Sequence, residues 1–262
     1  MIKRMLSLIP KLLIPAVIAS LLVLPACATS TPGSPASPTQ IASYTIADPT
    51  GDWGYPSPYS HYSRGPGYTR MSFIFETLVW KNTTDFVPQL AEEWEYVEGE
   101  DAYIFKLRND VTWHDGEKFT ADDVVFTFDY TKEHPYQWVD STIVKSAEAV
   151  EKYTVKLYLS KPYGPFFQNV AGTQPIMPKH IWEGVTEPER FTDTEAVIGT
   201  GPYTLADYSK EHGTYLYRAF DDYYLGEPLV KEIKFVKISD EMTPAALKGD
   251  SADAGSVAPE IV

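Results

Sequence analysis

Between positions 70 and 160 the spacing of large apolar residues switches from the period of a helix to that of a strand and back, which confines the chain to an architecture mixing both. Met71, Ile74, Phe75, Leu78 and Val79 follow one another at helical intervals and predict an amphipathic helix over 70–80. From Ala102 to Arg108 the period is two, with Tyr103, Phe105 and Leu107 on one side of a strand and Lys106 and Arg108 on the other. Turns at Asn109-Asp110 and His114-Asp115-Gly116 bracket a short return strand from Val111 to Trp113. Thr120 followed by Asp123 reads as a capping box opening a helix that Pro135 stops. A hairpin is expected from 147–150 and 153–159, turned at Glu151-Lys152, with a first strand near 42–47. Further strands are expected at 203–208, 214–220 and 231–238, and a helix near 241–248 that ends at Gly249. Hydrophobic residues make up 44% of the 262, enough to fill a core, so the fold class is α/β with mixed α and β elements.

The N-terminus has a different character. Lys3, Arg4 and Lys11 precede an apolar run over 12–24, interrupted by Pro15 and shorter than the roughly 20 residues that span a bilayer, so residues 1–26 read as an export signal. Leu24-Pro25-Ala26-Cys27 resembles a bacterial lipoprotein lipobox, which implies that Cys27 is lipidated and becomes the first mature residue. Cys27 is the one cysteine of the chain, so no intrachain disulfide, CxxC pair or zinc knuckle can form. Residues 27–40 then form the lipidated cysteine and a Pro/Ser/Thr tether without charge, and the folded body is expected over 41–262. The net charge of −14 argues against binding nucleic acid, or anionic lipid, by charge alone, and leaves acyl chains as the membrane attachment.

Seven blocks carry a resemblance that periodicity alone does not give: FETLVW (75–80), VPQLAEEWE (87–95), YIFKLRNDVTWHDGEKFTADDVVFTFD (103–129), YTVKLYLSKPYGPF (153–166), MPKHIW (177–182), GTGPYTL (199–205) and YYLGEP (223–228). Their order and intervals resemble the extracellular solute-binding proteins of peptide and nickel ABC transporters, family 5. The resemblance implies a type II periplasmic-binding-protein-like fold of two lobes, a ligand cleft, and delivery of a small solute, a dipeptide or oligopeptide foremost, to an ABC permease in the cytoplasmic membrane. It also implies a place in the cell envelope, in the periplasm or on the outer face of that membrane. Family members run to roughly twice this body length. The expectation is therefore a first lobe with the second lobe absent, the chain being a fragment or a split-gene half. The family's acidic group for a peptide's amino end would lie in the missing half, and is not transferred here.

The loop at 48–68, DPTGDWGYPSPYSHYSRGPGY, holds the candidate ligand contacts Trp53, Tyr55, Tyr59 and Arg64. Rigid aromatic faces bury area at small entropy cost, and an arginine meets a carboxylate through two parallel hydrogen bonds. The alternative is that these aromatics pack the loop onto the body. Metal, cofactor and catalytic readings find little support. His114-Asp115 sits in a turn with no HExxH, Asp122-Asp123 and Asp221-Asp222 are adjacent pairs suited to capping and solvation, and Gly199-Thr200-Gly201-Pro202 lacks the Lys-Ser/Thr ending of a phosphate loop. No GxSxG occurs. No cofactor and no enzyme activity are expected. An exported carbohydrate-active enzyme, a sugar- or nickel-binding protein of the same fold, and a surface interaction module remain as alternatives.

Overall fold

The computed structural model describes residues 39–256 except Arg64; the expected leader, Cys27, the tether up to residue 38 and residues 257–262 lie outside the described residues. The strands are β1 (Tyr44–Asp48), β2 (Val79–Lys81), β3 (Phe86–Pro88), β4 (Ala91–Val97), β5 (Ala102–Leu107), β6 (Val144–Glu151), β7 (Thr154–Leu159), β8 (Tyr203–Ser209), β9 (Thr214–Ala219), β10 (Glu232–Lys237) and β11 (Ala254–Gly255). The helices are α1 (Gly65–Met71), α2 (Ala121–Glu133), α3 (Lys179–Trp182) and α4 (Thr243–Lys248).

Two larger sheets organise these elements. A four-stranded antiparallel sheet runs in the order β4-β5-β7-β6, with Phe105 opposite Val155 and Tyr103 opposite Leu157. Its inner face buries Phe105, Leu107, Val155, Leu157 and Leu159 against Val124 and Phe128 of α2 and against Trp113 and Phe119. The five-stranded sheet runs β11-β1-β10-β9-β8, with β1 parallel to both β10 and β11 and the rest antiparallel. Its core joins Tyr215, Tyr217, Ile233 and Phe235 to Met71, Ile74 and Phe75. The small β2-β3 hairpin stands beside them.

The expected hairpin, the capped helix, the three later strands and the final helix are all present, with β6 starting earlier than expected at Val144. Asp123 does more than cap. Its Oδ2 accepts the Thr120 N–H at 2.8 Å and its Oδ1 accepts the Lys179 N–H at 3.0 Å, so one carboxylate ties the start of α2 to the start of α3. The expected return strand at 111–113 is reduced to a single bridge between Thr112 and Lys118, because the fully buried Trp113 turns the chain into the core there.

The expected helix over 70–80 is not formed. The nearest helix, α1, ends at Met71, and the chain from 72 to 78 is irregular before entering β2. The apolar stripe is nevertheless buried throughout, with Ile74 and Phe75 in the core of the five-stranded sheet and Leu78 and Val79 in that of the four-stranded sheet. The helical spacing arises because the segment passes from one core to the other. A helix would use its carbonyls internally, whereas here the carbonyls of Phe73 and Ile74 accept the N–H groups of Tyr203 at 3.1 Å and Gly201 at 2.8 Å.

That docking explains the Gly199-Thr200-Gly201 stretch. A Cβ on Gly199 would stand 2.0 Å from the Ile74 carbonyl oxygen, and one on Gly201 would stand 2.6 Å from it. The loop is held from its other side by His114, whose Nδ1 accepts the Gly199 N–H at 3.3 Å and whose Nε2–H donates to the Gly201 carbonyl at 2.8 Å. The partners assign this tautomer, and burial pulls the imidazole below its usual range, so the ring is neutral. Replacing Gly199 by Ala must separate two backbones that have no room to move; G199A is expected to destabilise the chain by about 3 kcal/mol, read as a lower midpoint in urea unfolding.

Candidate functional site

β1, β10 and β11 run parallel, and the carboxyl ends of β1 and β11, with Phe235 of β10, open onto one groove of about 790 Å³, lined by Asp48, Trp53, Pro66, Arg70, Phe235 and Gly255 among others. Ligands of open α/β sheets sit outside the carboxyl ends of such strands. Asp48 organises this end. Its Oδ1 accepts the N–H of Thr50 at 2.9 Å and of Gly51 at 3.3 Å, while its Oδ2 accepts Arg70 Nη2 at 2.6 Å and Trp53 Nε1 at 2.8 Å. The Arg70 side chain is only 4% exposed and stacks 3.3 Å from the centroid of the Phe235 ring. Burial pulls its guanidinium below the usual value, with Tyr217 and Asp48 acting in the opposite direction.

A second depression, of about 310 Å³, lies on the other side of α1 and shares Gly65 with the first. Tyr68, Trp80, Trp138, Lys81, Gln168 and Thr173 contribute its walls. Trp80 is 47% exposed and Trp138 is 38% exposed, unusual for the largest apolar side chain. Tyr68 meets Trp138 edge-on at 6.3 Å and donates its hydroxyl to the Thr173 carbonyl at 3.3 Å. Burial pushes this phenol up to about 12, so it stays protonated as a donor. The Lys81 ammonium is hydrogen-bonded to Gln168 Oε1. A Cβ on Gly65 would meet nothing within 4 Å, so the shared rim is open.

The predicted contacts are distributed unevenly. Trp53 lines the first groove. Tyr55 faces a separate depression of about 500 Å³ beside Tyr62, Tyr208 and Lys210, and its hydroxyl donates to the Asp193 carbonyl at 3.2 Å. Tyr59 packs inward against Tyr130, Tyr136 and Trp182 and donates to the His134 carbonyl at 2.7 Å. Arg64 lies outside the described residues, immediately before Gly65 in the chain. The aromatic loop is pinned to the body beneath by buried His61, whose Nδ1–H donates to the Tyr62 carbonyl at 3.0 Å while Nε2 faces the Tyr136 hydroxyl at 3.3 Å. Trp80, Trp138 and Arg70 were not singled out from the sequence. Trp80 ends the stretch read there as helix, and nothing local to Trp138 marks its indole as exposed.

Comparison with known proteins follows the same lines. The family described as "Bacterial extracellular solute-binding proteins, family 5 Middle" matches residues 85–262. The chain is similar to the dipeptide-binding protein of Escherichia coli, with 32% identity over 177 residues that cover 58% of this chain and 32% of that protein. Among solved structures it is similar to the ABC transporter substrate-binding protein CtaP of Listeria monocytogenes, at TM-score 0.72 and 31% identity, covering 85% of this chain and 46% of that one. It is also similar to NikZ of Campylobacter jejuni, solved in complex with Ni(L-His), at TM-score 0.71 and 25% identity, covering 86% of this chain and 45% of that one. The chain thus spans less than half the length of these relatives.

The Asp48–Arg70 pair gives a direct test of how the groove end is held. Asp48→Ala leaves a nearly buried guanidinium without its carboxylate and frees the Trp53 indole N–H. The variant is expected to lose about 3–5 kcal/mol of stability, seen as an earlier transition in chemical denaturation.

Proposed function

The chain belongs to family 5 of the bacterial extracellular solute-binding proteins, and from that premise we propose that it forms the lipid-anchored, solute-gripping part of an ABC importer's binding protein, taking up a dipeptide or oligopeptide and presenting it to the permease. One observation carries the reading: two open depressions meet at Gly65, one walled by exposed Trp80 and Trp138, the other bordered by Trp53 and the end of β1. Ligand pockets join apolar and aromatic walls to a few polar groups that fix orientation. The tryptophan-walled pocket takes an apolar or aromatic side chain of the peptide. Lys81 and Gln168 at its edge, and Arg64 beside Gly65, supply the polar and charged contacts, with Tyr55 a candidate further along the loop. Solute and the remainder of the binding protein close over this surface, and the closed form is the one the permease engages.

Attachment rests on Cys27, which the lipobox-like sequence before it assigns as the acylated residue, with residues 28–40 as the tether. This places the protein in the cell envelope, facing outward. The dipeptide-binding relative supports a peptide; the NikZ complex with Ni(L-His) keeps a metal chelate as the second reading.

Titration of the chain with dipeptides, tripeptides, nickel–histidine and oligosaccharides, followed by thermal unfolding and tryptophan fluorescence, separates these readings. Saturable stabilisation by peptides is expected, and Trp138→Ala should weaken it about tenfold, since the wall it removes is exposed and carries no core. Stabilisation by the nickel chelate alone would favour the second reading, and none by any of them would overturn solute capture. Cys27→Ser is expected to move the bacterially expressed chain from the membrane fraction to the soluble envelope fraction and to abolish incorporation of labelled fatty acid.

A further inference from the structure

Glu76 lies where the chain passes between the two sheets: Phe75 before it belongs to the core of the five-stranded sheet, and Leu78 after it to that of the four-stranded sheet. Its side chain is buried, with the residue only 2% exposed. One carboxyl oxygen, Oε1, accepts three hydrogen bonds, from the Tyr223 hydroxyl at 2.7 Å, the Tyr224 hydroxyl at 3.0 Å and Gln89 Nε2 at 3.0 Å. The other, Oε2, is buried and makes none. Thr200 Oγ1 is buried and unpartnered too, although the Thr200 hydroxyl is near enough to the carboxyl to influence its titration. These donors and orphans come from four parts of the chain: the turn before β4, the Gly199–Gly201 loop, the loop after β9, and the crossing segment itself.

Among the described residues no cation forms a salt bridge or hydrogen bond with this carboxyl. The Arg108 guanidinium lies 4.8 Å from the Tyr224 ring centroid and is engaged by Asp110 at 2.9 Å and Glu92 at 3.6 Å. His114, which holds the Gly199–Gly201 loop, is neutral in the tautomer its partners assign. In the loop after β9, Asp221 and Asp222 are exposed and only the two tyrosine hydroxyls face inward. Residues 174–176 contribute a backbone contact alone, the Ile176 N–H donating to the Glu76 carbonyl at 2.9 Å. A carboxylate at this place would keep a buried charge, whereas one proton on Oε2 removes that charge and lets Oε2 donate to Thr200 Oγ1.

We propose that Glu76 is held as a neutral carboxylic acid whose Oε2–H is donated to Thr200 Oγ1, and that it acts as a proton-operated pin joining the two sheets. Burial pushes this carboxyl up to about 7 from 4.5, against the opposing pull of the hydrogen bonds from the two tyrosines and Gln89 and of the Thr200 hydroxyl nearby. Because the folded state holds the proton more tightly than the unfolded chain, the stabilisation is complete below about pH 4.5 and is lost as pH rises through about 7. The pin lies four residues before Trp80 in the chain, and its carbonyl accepts the N–H of Ile176, three residues after Thr173, both Trp80 and Thr173 lining the tryptophan-walled pocket. It is independent of which solute that pocket takes.

The test compares urea unfolding of the full chain with that of Glu76→Gln at pH 5.5, 7.0 and 8.5. The wild-type folding constant is expected to fall, relative to the variant, by on the order of 30-fold across this range, because the glutamine amide mimics the neutral acid at every pH. Parallel profiles would overturn the proposal. If Glu76→Gln does not fold, wild-type protein carrying 13C-labelled glutamate carboxyls answers by NMR: at pH 6 one glutamate should remain protonated while the exposed ones are ionised. All of them ionised at that pH would overturn it, and the Thr200→Val variant should shift the protonated signal if the bond to Thr200 exists.

Discussion

The structure depends on how one irregular segment, residues 72–78, is carried between two hydrophobic cores without leaving its peptide groups stranded. Burying backbone away from water requires a partner for each N–H and C=O, and no helix or sheet ladder supplies them here. The Gly199–Gly201 loop and the start of β8 do so instead, through the bonds from Gly201 and Tyr203 to the carbonyls of Ile74 and Phe73. Glycine is required because the two backbones touch, and His114 is required because the far side of that loop is itself buried. The position of α1, and with it the rim at Gly65, follows from where this segment begins.

Two aspartates shape the loop that feeds the site. Asp48 closes the end of β1 and holds Arg70 and Trp53. Asp52 is subject to burial, which works to raise it, but hydrogen bonds from the hydroxyls of Tyr208 and Tyr62, each at 2.7 Å, and from the Gly54 N–H hold it below the usual carboxylate value. Both act as acceptors gathering donors, and Glu76, with tyrosines also pointing at it, stands apart because it is buried and one of its oxygens is left unserved. The chain uses carboxylate–tyrosine bonds repeatedly, and burial decides which carboxyl keeps its proton.

Much of the fold was legible locally. The β6-β7 hairpin, the Thr120–Asp123 cap and the strands β8 to β10 depend on neighbours within a few residues, and period, turn and cap signals report such neighbours well. The stretch from 70 to 80 misled because periodicity records which side chains are buried and is silent on what buries them. Five residues at helical intervals are equally served by one helix face or by a chain threading two cores. The aromatic loop was legible as a surface-organising element, yet its residues divide by tertiary position: Trp53 reaches the groove, Tyr59 packs inward against Trp182. Trp80 and Trp138 left no signal, because exposure of an indole is decided by what fails to pack on it.

The strands β2, β3, β4 and β11 were not read from the sequence, which by itself determined the α/β class, the capped helix, the strands β1 and β5 to β10 and, through seven separated blocks, the family of solute-binding proteins. These rest on local propensity and on the order of short segments, which a linear chain records directly. Only the tertiary structure decided that Gly65 joins two depressions, that Arg70 is paired beneath one of them, and that a carboxyl, two tyrosines, a glutamine and a threonine meet at Glu76. Residues as far apart as 76 and 224 converge there, and such a meeting depends on how two cores settle against each other, which no window of neighbouring residues contains.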